Sequence, residues 1–138
     1  MTSYEVVYKR FLNKLRDFNL AELDDATVES MLNDWLHSSI VRTRTSTDLS
    51  KRNEEEEFFE NDLTDLDVEL LALGMLLSWL EPYLNSSELT LQFIGGKEEK
   101  YFSQSKHLEE LQDRHSKIIQ EMHRLYTYNT YLNNKYFK

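Results

Sequence analysis

Four histidines, 25 carboxylates and no cysteine are the groups through which this 138-residue chain could do chemistry. His107, His115 and His123 stand at eight-residue steps. On a helix each such step drifts about 80° around the axis, so the three rings do not converge on one metal. Zinc-binding helices place two histidines four apart, with a glutamate between them in proteases. That spacing is absent. His115 falls among apolar positions and reads as a packed histidine. Without cysteine, disulfides and thiolate metal sites are excluded. The acidic residues lack the alternating order and glycine of a calcium loop. Gly95-Gly96-Lys97 lacks both the first glycine of a phosphate loop and the hydroxyl residue after its lysine. No serine has the flanking glycines of a nucleophile elbow. No carboxylate pair is marked as sitting in a cleft. The residues therefore predict no enzyme activity, no cofactor and no metal.

Charge is the more informative chemistry. The net value is −9. Glu54, Glu55, Glu56, Glu57, Glu60, Asp62, Asp65, Asp67 and Glu69 follow one another without an intervening base. From residue 114 onward the sign reverses: Arg114, Lys117, Arg124, Lys135 and Lys138 face only Glu121. Such a split suits either a solvated acidic face and a basic tail, or opposite-sign contacts between partners or copies. The C-terminus also gathers Tyr126, Tyr128, Tyr131, Tyr136 and Phe137. Aromatic and basic residues together can stack nucleic-acid bases. They are equally the composition of protein-interface anchors. The acidity of the whole chain and the few lysines among the tyrosines favour protein docking.

The elements that must carry these residues are helical. Three glycines and one proline leave few places to break the backbone, and 40% hydrophobic residues suffice for a single core. Tyr4, Val7, Tyr8, Phe11, Leu15 and Phe18 recur at helical spacing behind a Ser3 cap, with Asn19 as the stop. The first fifteen residues carry charges and no uninterrupted apolar run, unlike a signal peptide. A second helix starts near Asp24–Thr27 with the stripe Val28, Met31, Leu32, Trp35, Leu36 and Ile40. Residues 43–53 read as a polar loop, and 54–62 as either a short helix docking Phe58 and Phe59 or more loop. Thr64 and Asp67 resemble a capping box before a helix apolar on nearly every side, hence central and buried. Gly74 within it costs about 1 kcal/mol against alanine, which a close helix crossing would explain. The eleven-residue run 70–80 is too short to span a bilayer, and no membrane partner is expected. Pro82 should end this helix. Residues 85–94 then form a two-turn helix, with a hairpin turning at Gly95-Gly96 as the alternative.

A long last helix, capped by Ser103 or Ser105, carries Leu108, Leu111, His115, Ile118, Met122 and Leu125 in a heptad seam widened by Ile119 and Tyr126. The expected fold is an all-α bundle of four or five helices. It has a central helix over about 65–80, a long helix over about 104–129, and an extended aromatic tail. Residues 1–126 form the bundle and 127–138 a docking tail. Trp35, Leu70, Leu73, Leu77, Leu80, Leu111, Ile118 and Met122 are the expected core.

Residues 63–132 resemble a family of small structural proteins of the tailed-phage neck, mostly from phages of Gram-positive bacteria. The matching features are the acidic cap before Ala72-Leu73-Gly74-Met75, the Trp79-Leu80-x-Pro82-x-Leu84-Asn85-Ser86 ending, the glycine–lysine loop, Tyr101-x-Ser103-Gln104-x-x-His107-Leu108 and the tyrosine-rich end. The aromatic pair Tyr101-Phe102 departs from the family pattern. The resemblance implies an adaptor or head-completion protein, without enzyme activity or cofactor. Such a protein is made in the host cytoplasm and built into the virion neck. The implied partners are the portal protein, adjacent copies in a ring of twelve, and a second neck or stopper protein. DNA passes through the lumen without sequence-specific binding. On this reading Tyr126, Tyr128, Tyr131, Lys135, Tyr136, Phe137 and Lys138 dock on the portal or a neighbouring subunit. Glu54, Glu55, Glu56, Glu57, Glu60 and Asp62 form an acidic lumen or inter-subunit face, where carboxylates would repel phosphate and let DNA slide. The alternative is a small acidic regulatory or inhibitor protein that acts as a DNA mimic or a partner-binding module. The heptad seam and aromatic end speak against it.

Overall fold

The computed structural model describes residues 1–15, 24–94 and 98–133, with side chains described except at 87–104 and 132–133. Helix α1 (Tyr4–Lys14) begins where the Ser3 hydroxyl accepts the Glu5 amide, 3.3 Å away. Its face of Tyr4, Val7, Tyr8 and Phe11 is buried, as is Leu15 just past its end. Phe18 and Asn19 lie outside the described residues. Helix α2 (Asp25–Arg42) is capped by Asp24, whose carboxylate accepts the Thr27 amide at 2.8 Å. Leu32, Leu36 and Ser39 are its buried positions.

Helix α3 (Asp65–Ile94) is the centre of the bundle. It packs against α1, α2 and the last helix, α4 (Glu98–Asn133). Leu70, Leu71, Ala72, Met75 and Leu80 are fully enclosed. A chain so apolar on all sides can only be satisfied by neighbours on all sides. Gly74 sits where α2 crosses α3. A methyl group there would lie 2.2 Å from the Ser39 hydroxyl oxygen and 2.7 Å from that of Thr43. The crossing is further tied by the Ser39 hydroxyl, which donates to the Leu71 carbonyl at 2.7 Å.

Three expected boundaries are corrected. Pro82 does not end the central helix: α3 runs through it, so the separate element expected at 85–94 is the last part of α3. A proline inside a helix costs about 3 kcal/mol. Burial of Leu76, Leu77 and Leu80 just before it, and packing of α3 on α4, outweigh that. Helix α4 starts at Glu98, not at Ser103 or Ser105. Glu98 and Glu99 suit the positive end of a helix, a signal as good as a serine cap. The last helix, expected to reach about 129, runs on to Asn133, with the Thr127 hydroxyl donating to the His123 carbonyl at 3.1 Å; the rest of the expected docking tail, 134–138, lies outside the described residues.

Ile118, Met122 and Leu125 of the seam are buried, while Leu111 and Trp35 are only half-buried. Helix α4 packs chiefly on α3, which leaves one edge of its seam open. Trp35 is too large to enclose fully and rests on Phe11, ring centroids 5.5 Å apart.

The polar segment between α2 and α3 is neither helix nor plain loop. Strands β2 (Arg52–Asn53) and β3 (Phe58–Phe59) form a hairpin, and β1 (Thr2–Ser3) adds to the other edge of β3, giving the antiparallel order β1-β3-β2. The Asn53 side-chain oxygen accepts the amides of Glu55 and Glu56, both at 3.0 Å, and Glu57 takes the left-handed φ of 57° that closes the turn. Phe59 enters the core against Tyr4, ring centroids 4.8 Å apart. Phe58 is half-buried.

Candidate functional site

Asp67 is the buried charged residue among the described residues. Its amide donates to Thr64 Oγ1 at 3.1 Å, which is one half of the expected capping box. The carboxylate makes a different contact from the one such a box requires. It accepts the Ser46 amide at 2.9 Å, the Ser46 hydroxyl at 2.9 Å and the Thr47 hydroxyl at 2.7 Å. Three donors satisfy a carboxylate that has lost its water. Asp67 therefore pins the loop after α2 onto the start of α3. The hydroxyl-rich sequence 43–47 was the available signal, but nothing in the sequence pairs it with Asp67.

A second network holds the hairpin to α2. His37 Nδ1 faces the Asn33 carbonyl at 2.7 Å, and Nε2 faces the Glu54 carboxylate at 2.6 Å. Both neighbours only accept, so a ring nitrogen bonds either one only as a donor. Arg52 also donates to Glu54. Burial alone would raise the Glu54 carboxyl, but the hydrogen bonds from Arg52 and His37 outweigh it and hold the group below its usual range. Burial, and then the Glu54 charge, push the Tyr4 hydroxyl up to about 12. Burial also raises the Tyr8 hydroxyl, aided by Glu57. Both hydroxyls are enclosed without a well-formed hydrogen bond. The cluster reads as a packed structural junction.

The remaining histidines stay apart. His115 is half-buried, 3.5 Å from Glu81, which also receives Arg42 at 2.6 Å. His107 and His123 are exposed. Among the described residues no group of three His, Asp or Glu side chains could hold a metal, and no helix is long and apolar enough to cross a membrane.

The six carboxylates singled out as an acidic face gather at the hairpin and just after it. Glu54 is paired, Glu55 and Glu56 are exposed in the turn, and Glu57 is half-buried with its carbonyl accepting the Tyr4 amide at 2.9 Å. Glu60 is exposed and Asp62 receives the N-terminal amine. Of the aromatic end, Tyr126 is half-buried and its hydroxyl accepts the Arg44 amide at 3.3 Å. Tyr128 and Tyr131 are 51% and 55% exposed. Lys135, Tyr136, Phe137 and Lys138 lie outside the described residues.

Beside these tyrosines lies a groove of about 890 Å³. Leu77 of α3 with Ile119, Met122 and Tyr126 of α4 give it an apolar lining, and Arg42, Arg44 and His123 bring basic groups. Thr127, Thr130 and Tyr131 extend it along α4. The sequence pointed to the tyrosines. It did not show the groove, because Arg42 and Arg44 come from a segment whose path the Asp67 contacts determine. Size and lining suit an apolar group carrying an acid. Compared with protein-family models, curated proteins and solved structures, the chain matches none.

Proposed function

We propose that the chain is a structural protein of a tailed-phage neck, an adaptor between the portal and the next neck or tail component. It repeats around the axis and helps to form the conduit for DNA. The observation that carries a docking role is the pair of exposed tyrosines on α4, Tyr128 and Tyr131. Two exposed tyrosines three residues apart on one helix are a protein-binding surface in composition, and a costly one to leave in water. The phage neck itself is supported by the resemblance in residues 63–132. Within that stretch the quoted Ala72–Met75, Trp79–Ser86 and Tyr101–Leu108 motifs fall on α3 and α4, which pack against each other.

On this reading α4 presents Tyr128 and Tyr131 to the portal, and residues 134–138 add Tyr136, Phe137 and two lysines to the same chain end. The test is co-sedimentation with purified portal rings of the phage that encodes the chain. The wild type should travel with the rings. Tyr128→Ser combined with Tyr131→Ser should not, while its circular dichroism and melting stay those of the wild type. A wild-type protein that never travels with the rings would remove the reading.

A further inference from the structure

We infer that the groove between α3, α4 and the segment after α2 receives the acidic end of a second copy of this chain. The inference rests on the reading that copies repeat in the neck, and it names the contact between them. The groove demands an occupant with an apolar side chain and a nearby acid. Leu77, Ile119 and Met122 are apolar, and Arg42 and Arg44 supply the charge. Arg42 is already answered by Glu81 at 2.6 Å. Arg44 is exposed and forms no ion pair among the described residues.

The chain itself carries the complement. The Tyr4 amide bonds the Glu57 carbonyl, which seats the turn 54–57 against the start of α1. That end exposes Glu5, Glu55 and Glu56, and with them Val6, an apolar side chain 45% in water. Apolar contact flanked by carboxylates is what the groove accepts. A net charge of −9 makes copies repel at long range, so only a local match of opposite sign brings them together. The two surfaces share no residue. Their contact is therefore head-to-tail, which closes into a ring or runs on as a filament instead of stopping at a two-fold dimer.

The test is sedimentation equilibrium of the full chain at low and high salt. The wild type should self-associate, less so at high salt, because exposed pairs are screened. Arg44→Glu should weaken association by at least about tenfold, and so should Glu55→Arg with Glu56→Arg. Each variant should melt like the wild type. Mixing the two should restore association, since each then offers the other an opposite-sign surface. A wild type monomeric at every concentration overturns the inference, as does association that neither reversal weakens. In both cases the portal co-sedimentation still judges the neck reading separately. If Arg44→Glu abolishes portal binding and leaves self-association intact, the groove faces the portal and the inference is wrong.

Discussion

Replacing Gly74 by alanine probes the α2–α3 crossing directly. In an exposed helix the change would stabilise by about 1 kcal/mol, because glycine loses more backbone freedom on folding. Here the added methyl would stand 2.2 Å from the Ser39 hydroxyl oxygen and 2.7 Å from that of Thr43, distances that cannot persist. The Ser39 side chain is fully buried and bonded to the Leu71 carbonyl, so turning it away breaks that bond. A broken bond with a buried polar group left unpaired costs about 1–3 kcal/mol. Moving the helices apart instead costs a similar amount through overpacking. Set against the gain in propensity, the expected outcome is a net loss of about 1–3 kcal/mol in urea unfolding, with unchanged m-value. Ser39→Ala should cost about 1 kcal/mol alone. In the double variant the Ser39 hydroxyl clash is gone, the Thr43 hydroxyl at 2.7 Å, released from its bond to Ser39, turns aside, and a methyl–methyl separation of 3.1 Å remains, which small shifts absorb. The double variant should therefore be more stable than the sum of the two losses, by about 1 kcal/mol. A Gly74→Ala protein more stable than wild type, or strict additivity, would refute the crossing as described.

Leu73→Ala, a truncation within the α3 core, should cost about 2–5 kcal/mol in the same assay. Asp67→Ala should cost about 2–4 kcal/mol, because it strands the Ser46 amide and two hydroxyls, and protease cleavage within residues 43–53 should rise with it. For Glu54 the folded carboxyl lies below its usual range. Its contribution is thus present above the unfolded value of about 4.3 and disappears as pH falls through the lower folded one. Stability curves of wild type and Glu54→Gln should differ at neutral pH and converge in acid; a constant gap across that window would rule the network out. Arg44→Ala should leave melting unchanged, as expected for an exposed side chain without an ion pair.

The periodic elements were legible because apolar spacing reports the face a helix must bury. That placed α1, α2, the centre of α3 and the seam of α4. The ends were less legible. Pro82 and the serines at 103 and 105 are local signals, and long-range packing together with two glutamates at the helix start overrode them. The two-residue strands have no period to read, and Phe58-Phe59 discloses its role only once Tyr4 is beside it. The aromatic end was visible as composition and its helix was expected to about 129; the further turn to Asn133 was not, since tyrosine, asparagine and threonine favour helices only weakly. The groove needed three segments brought together by Asp67 and the Gly74 crossing. No spacing in the sequence encodes that meeting.

The proposed neck role is tested most directly by electron cryomicroscopy of the virion neck. It predicts copies of this helical bundle repeated around the axis beneath the portal, with α4 and its tyrosines against protein. A neck without this chain, or with a single copy away from the symmetry axis, would contradict it.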